Sequence, residues 1–147
     1  MAKPEDITPS KRVGAGSALA CVTTALVFGL WRVAATFDSA TGLQGWAWLL
    51  FEGAFLLFTL PVFALLFCFL GAFLVHKGSG ARSLSILGSV AIVLVFGFVL
   101  MGIGLIGIEE AGPLSSAPVS LGMLAIAGAV GGYFGHAGWF PAHRRAA

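Results

Sequence analysis

The sequence predicts an all-α integral membrane protein built as a bundle of four transmembrane helices. Of the 147 residues, 59% are hydrophobic and only 10% are charged, and the mean hydropathy is +1.00. A water-soluble domain normally carries about 25% charged residues. The charged residues lie near the chain ends and between four long apolar stretches, and no strand-like alternation of apolar and polar residues appears. Because helices satisfy their own backbone hydrogen bonds in lipid, we interpret residues 1–147 as a single four-span domain.

Each apolar stretch reaches the roughly 20 residues that a helix needs to cross a bilayer core. The predicted spans, in chain order, are residues 13–35, 46–75, 84–108 and 118–140. The second span begins with an interfacial stretch, so its fully apolar part is shorter than its length suggests. Pro61 lies near its middle and has no N–H to donate, which predicts a bend there. The three connections are short, and short connections predict antiparallel neighbours.

The basic residues are distributed unequally between the two sides of this arrangement. Seven of the eight fall on one side, namely Lys3, Lys11, Arg12, Lys77, Arg82, Arg144 and Arg145. Cytoplasmic segments of membrane proteins are enriched in Lys and Arg. The sequence therefore predicts a multi-pass protein of the cytoplasmic or inner membrane with both termini in the cytoplasm. The same flanks account for the pI near 8.8, so the pI gives no indication of nucleic-acid binding. The basic flanks favour contact with anionic lipid headgroups.

Small residues predict how the helices pack, because close approach of backbones rather than water exclusion holds helices together in lipid. In the fourth span, a stripe that includes Gly122, Gly128, Gly132 and Gly135 predicts a packing face. The first span has a similar small-residue face, and Leu19, Leu26 and Leu30 lie on the opposite side. In the second span the residues expected to face the bundle are Gly53, Pro61, Ala64, Cys68, Gly71 and Val75. The residues expected to face lipid or a partner are Phe51, Phe55, Phe58, Phe63, Phe69 and Phe73. The glycines of the third span scatter, so no single face is predicted for it.

Four charged residues lie near the outer ends of the predicted spans. They are Arg32, Glu52, Glu109 and Glu110, and a charge within a membrane segment marks a candidate functional site. One interpretation is an outer vestibule that binds a cation or a basic substrate. The alternative is that all four reach interfacial water and fix the topology.

His136 lies on the small-residue face of the fourth span and is expected to point into the bundle. One interpretation is a hydrogen-bonded helix contact. The other pairs His136 with His76, at the end of the second span, as ligands of a b-type haem. No metal-binding spacing or dinucleotide, phosphate-loop or hydrolase motif is present, so no other cofactor and no catalytic residue are predicted.

Three functions follow from these features. The first is a small, non-catalytic structural or accessory subunit of a larger membrane complex, with membrane-protein partners or self-association in the lipid bilayer. The second is a small transporter or channel that works as a homo-oligomer. The third is a haem-bearing membrane anchor. The longest connection between the predicted spans has ten residues, too few for a catalytic domain outside the membrane, so function is expected to reside in the bundle or in its partners.

Overall fold

The computed structural model describes residues 8–39, 43–78, 80–102 and 117–141. Within them the chain forms four helices, in the order α1 Pro9–Ser39, α2 Leu43–Lys77, α3 Arg82–Gly102 and α4 Ala117–Trp139. Each has a segment long and apolar enough to cross a membrane. The predicted all-helical architecture with four such helices is confirmed. The last six residues of the third predicted span, 103–108, lie outside the described part of the chain.

Local sequence signals account for the helix ends. Thr8 precedes Pro9, and its carbonyl oxygen accepts a hydrogen bond from the Arg12 N–H at 3.2 Å; proline is favoured at the first helical position, where its missing N–H costs nothing. The α2 helix ends at Lys77 and is followed by Gly78, which has a φ of 64°, a left-handed conformation that glycine adopts without strain. A tight turn therefore joins α2 to α3.

The helices alternate in direction. Ser17 of α1 contacts Phe67 of α2, whereas Cys21, one turn later, contacts the earlier residue Leu60. The same reversal relates α3 to α4, and the start of α1 lies beside the end of α4. One end of the bundle therefore contains the start of α1, the Gly78 turn and the end of α4. We call it the turn end.

The most extensive helix contacts join α1 to α4, α3 to α4 and α1 to α2. In contrast, α2 contacts α3 and α4 only slightly, although α2 and α3 are consecutive helices. The membrane-length segments of α1 and α4 are each 39% buried, compared with 28% for those of α2 and α3. The helices are thus arranged in the order α2, α1, α4, α3, and the side formed by α2 and α3 is the more open one.

Close approaches in the bundle depend on glycine. Gly138 of α4 lies against Gly16 of α1, where a Cβ added to Gly138 would come within 2.5 Å of the Gly16 Cα. Gly128 and Gly132 lie against the backbone of α3, and Gly135 lies against Ala20 of α1. The small-residue face of α4 therefore contacts both neighbouring helices. The predicted face is wrong at Gly122, which is exposed and has open space beside it.

The prediction for the facing of α2 is correct only in part. Gly71 is buried against the Trp139 ring as expected. Gly53 and Pro61 are exposed instead of buried, and Phe63, expected to face outward, belongs to the core together with Phe67. The Phe63 ring makes an edge-to-face contact with Phe96 of α3, with ring centroids 4.8 Å apart. The physical reason is that α2 is about equally apolar on all its faces, so the space left by neighbouring helices decides which side chains are buried. Other phenylalanines of α2, such as Phe58, do face outward as expected.

Helix α3 has a buried face that the sequence analysis did not identify. The buried residues are Ser85, Ser89, Val93, Gly97 and Leu100, which recur at steps of four, four, four and three. Only one of these five residues is a glycine, so the glycines alone do not reveal the face. The serines and the glycine taken together do.

Candidate functional site

A buried histidine and serine join α3 to α4 near the turn end. The Nδ1 atom of His136 lies 3.0 Å from the Oγ atom of Ser85, and the two side chains are 8% and 0% exposed. Either partner can donate, depending on the tautomer of the imidazole. The Phe140 ring lies over the His136 ring, with centroids 5.1 Å apart. His136 therefore points into the bundle, as the sequence predicts.

Ser89 lies one turn further along α3 and is fully buried. Its Oγ atom has no hydrogen-bond partner among the described residues. A Cβ added to Gly132 would come within 2.7 Å of this oxygen, so the hydroxyl group occupies the space that the glycine leaves open. Ser85, Ser89 and His136 form what we call the Ser–His cluster.

A second polar contact at the turn end joins three helices. The indole Nε1–H of Trp139 in α4 donates to the Oγ atom of Ser17 in α1 at 3.3 Å. The Ser17 hydroxyl in turn donates to the carbonyl oxygen of Phe67 in α2 at 3.0 Å. The Trp139 side chain is fully buried and lies against Gly16 and Gly71. We call this chain of hydrogen bonds the Trp139 link.

A hydroxyl group and a thiol group also connect α1 to its neighbours nearer the middle of the bundle. Thr24 donates to the carbonyl oxygen of Ala127 in α4 at 3.3 Å. Cys21 is a free thiol, and its sulfur donates to the carbonyl oxygen of Leu60 in α2 at 3.5 Å. Such contacts satisfy buried polar side chains and fix the register of the helices.

The chemistry available to the Ser–His cluster is limited by its surroundings. A serine beside a histidine is the pairing used for nucleophilic catalysis, but that reaction also needs access for a substrate and donors that stabilise an oxyanion. Ser85 is fully enclosed between α3 and α4. We therefore interpret the Ser85–His136 hydrogen bond as a contact that aligns the two helices.

The two histidines considered as haem ligands lie in different environments. His76 is exposed in the last turn of α2, whereas His136 is buried against α3. No ring contact or hydrogen bond joins them in the described part of the chain. Within the same residues there is no group of three or more His, Cys, Asp or Glu side chains that could hold a metal ion.

The outer charged residues are only partly described. Arg32 is half-buried, and its guanidinium carbon lies 5.8 Å from the centroid of the Trp31 ring. Glu52 belongs to α2, but its side chain lies outside the described part of the structure, as do Glu109 and Glu110. The outer vestibule stays a prediction.

Ser85 and Ser89 are two of the buried polar residues that were not predicted from the sequence. Serine is common in membrane helices, so neither residue is distinctive alone. The signal lies in their spacing of four, which continues to Val93 and Gly97 and places all four residues on one face.

Comparisons of the chain with protein-family models, with curated proteins and with solved structures found no match.

Proposed function

We propose that this protein is a multi-pass membrane protein that serves as a non-catalytic accessory subunit of a larger membrane complex. The proposal places it in the cytoplasmic or inner membrane, with both termini on the cytoplasmic side. Four helices of membrane-spanning length and hydropathy support the membrane location. The excess of Lys and Arg on one side supports the orientation.

The observation that carries the accessory role is the filled interior of the bundle. Several of its largest side chains are almost completely enclosed, with Trp139 and Phe67 at 0% and Phe63 at 2% exposed. The polar groups inside mostly bond to one another or to backbone carbonyls, as in the Trp139 link. A bundle packed in this way offers its outer surface, rather than an internal path, for interaction.

The surface best suited to a partner is the open side formed by α2 and α3. Exposed aromatic side chains of α2 include Phe58 at 82% and Phe69 at 74%. Because α2 contacts α3 only slightly, a partner helix can pack there without displacing an extensive internal contact. Rigid aromatic side chains supply a large contact area for packing.

Purification of the tagged protein in a mild detergent tests this proposal directly. Mass analysis of the eluted peak is expected to find foreign membrane subunits in stoichiometric amounts. A peak that contains only copies of this chain would overturn the accessory role and favour the homo-oligomeric transporter. A Soret absorbance band in the same peak would favour the haem-bearing anchor.

Two variants locate the contact. Phe58→Ala in α2 is expected to reduce the yield of the partner subunit without changing the yield of this chain. The matched control is Leu30→Ala in α1, which also truncates an exposed apolar residue, 71% exposed, but lies outside the open side. Equal partner yields from the two variants would contradict the assignment of the α2–α3 side.

A further inference from the structure

Two basic residues at the turn end are held over aromatic rings. The Nζ atom of Lys77 lies 4.7 Å from the centroid of the Phe73 ring, one turn earlier in α2. The guanidinium carbon of Arg82, at the start of α3, lies 5.0 Å from the centroid of the Tyr133 ring in α4. Both cations are exposed, and a cation over a ring face is attracted by the ring quadrupole. The rings therefore restrict where these two charges lie.

The rings themselves are on the outer surface of the bundle. Phe73 is 55% exposed and Tyr133 is 49% exposed, and each belongs to a segment of membrane-spanning length. Each cation thus lies where the apolar surface of the bundle meets the turn end. In a membrane this boundary is the depth of the lipid headgroups, at which aromatic and basic residues concentrate.

The charge at the turn end has one dominant sign. Its described charged side chains are all basic, namely Lys11, Arg12, Lys77 and Arg82. The adjoining terminal segments add three basic residues and two acidic ones, Lys3, Arg144, Arg145, Glu5 and Asp6. A concentration of positive charge next to the membrane surface attracts anionic lipids.

We propose that the turn end binds the phosphate headgroups of anionic phospholipids and that Arg82 and Lys77 are the contacting residues. The proposal rests on the membrane location given under Proposed function. The guanidinium group of Arg82 offers two parallel donors to a phosphate, whereas the Lys77 ammonium group acts as a point charge. Phe73 and Tyr133 hold the two cations at headgroup depth, which distinguishes them from basic residues in the flanks.

The test uses the full-length protein in nanodiscs that contain equal parts of phosphatidylcholine and phosphatidylglycerol. Native mass spectrometry of the released protein measures the ratio of the two lipids that stay bound. The wild type is expected to retain mainly phosphatidylglycerol. Arg82→Gln and Lys77→Gln are each expected to reduce this preference by about fivefold, a typical contribution of one basic residue near an anionic surface, and Arg82→Lys is expected to keep most of it.

Lys11→Gln is the matched control, because it removes one exposed charge from the same end. Lys11 makes no ring contact in the described part of the chain, so a smaller loss than that of Arg82→Gln is expected. An equal loss would overturn the assignment to ring-supported cations. Retention of both lipids in proportion to the mixture by the wild type would overturn the proposal itself.

Two further experiments distinguish a free phosphate ligand from a lipid and test the membrane location separately. Inorganic phosphate added to phosphatidylcholine nanodiscs is expected to leave the thermal stability unchanged; an increase equal to that given by phosphatidylglycerol would identify a free phosphate ligand and overturn the lipid assignment. Release of the protein from native membranes by an alkaline carbonate wash would refute the membrane location. Membrane retention without a lipid preference would refute only the headgroup contact.

Discussion

Gly132 and Gly122 lie in the same helix but in opposite surroundings. A Cβ at Gly132 would come within 2.6 Å of the Ser85 carbonyl oxygen, whereas no atom lies within 4 Å of one at Gly122. We expect Gly132→Ala to lower stability by about 1–3 kcal/mol, because backbone atoms of α3 must move to accept the methyl group. Gly122→Ala is expected to leave stability unchanged or slightly raised. Thermal unfolding in detergent compares the two, and similar melting temperatures would contradict the α3–α4 packing.

Ser85 provides a second test at the level of single residues. Ser85→Ala removes the hydrogen-bond partner of the His136 Nδ1 atom, and we expect it to cost about 1 kcal/mol of stability, as is typical of such bonds within membrane bundles. Ser83→Ala, which truncates an exposed serine of the same helix turn, is the matched control.

A double-mutant cycle then isolates the hydrogen bond between Ser85 and His136. In a His136→Phe background the Ser85→Ala substitution is expected to cost less than in the wild type. An equal cost in both backgrounds would show that Ser85 contributes through packing rather than through His136.

At the scale of the helices, the four apolar segments could be predicted from the sequence. The faces that these helices bury could be predicted only in part. Length and hydropathy fix the segments, since any helix in lipid must be long and apolar. The outward direction of Leu19, Leu26 and Leu30 in α1 was also predicted correctly. The burial of Phe63 was not predicted. A large ring is buried wherever the neighbouring helix leaves space for it, and the sequence of α2 gives no information about that space.

The candidate site shows the same limit. The direction of His136 could be predicted from the small residues that share its face. Its partner Ser85 could not, because the register between α3 and α4 depends on contacts such as Gly132 against the α3 backbone. A helix face found from composition therefore indicates which residues point inward, but not what they contact.

The pairing of helices leads to a prediction about the two halves of the chain. The α1–α4 contact joins the first hairpin, α1–α2, to the second, α3–α4, and it is the most extensive contact between helices. We expect the two hairpins to assemble when they are expressed as separate chains divided at Gly78, because the turn supplies connectivity rather than packing. Co-purification of the second hairpin with a tagged first hairpin measures this assembly.

Gly138→Leu is the variant expected to abolish assembly of the hairpins. It introduces a large side chain where Gly138 lies against Gly16 of α1. The matched control is Gly122→Leu, which places the same side chain in open space on α4. Failure of the unsubstituted hairpins to co-purify, or equal recovery with both variants, would show that the α1–α4 contact does not hold the halves together.

For the whole molecule, the alternating directions of four helices place the start of α1 and the end of α4 at one end of the bundle, where Lys77 and Arg82 are also exposed. Positively charged segments stay on the cytoplasmic side during insertion, so we expect this end to face the cytoplasm.

In intact cells, a membrane-impermeant maleimide should label Ser115→Cys, in the connection before α4, and should not label Ser10→Cys at the start of α1. The unsubstituted chain is the control, because Cys21 is buried and Cys68 half-buried. Inverted membrane vesicles should give the opposite pattern. Labelling of Ser10→Cys alone in intact cells would reverse the orientation and place the basic turn end on the outer side. Labelling of both variants in intact cells would contradict a four-span arrangement with a single orientation.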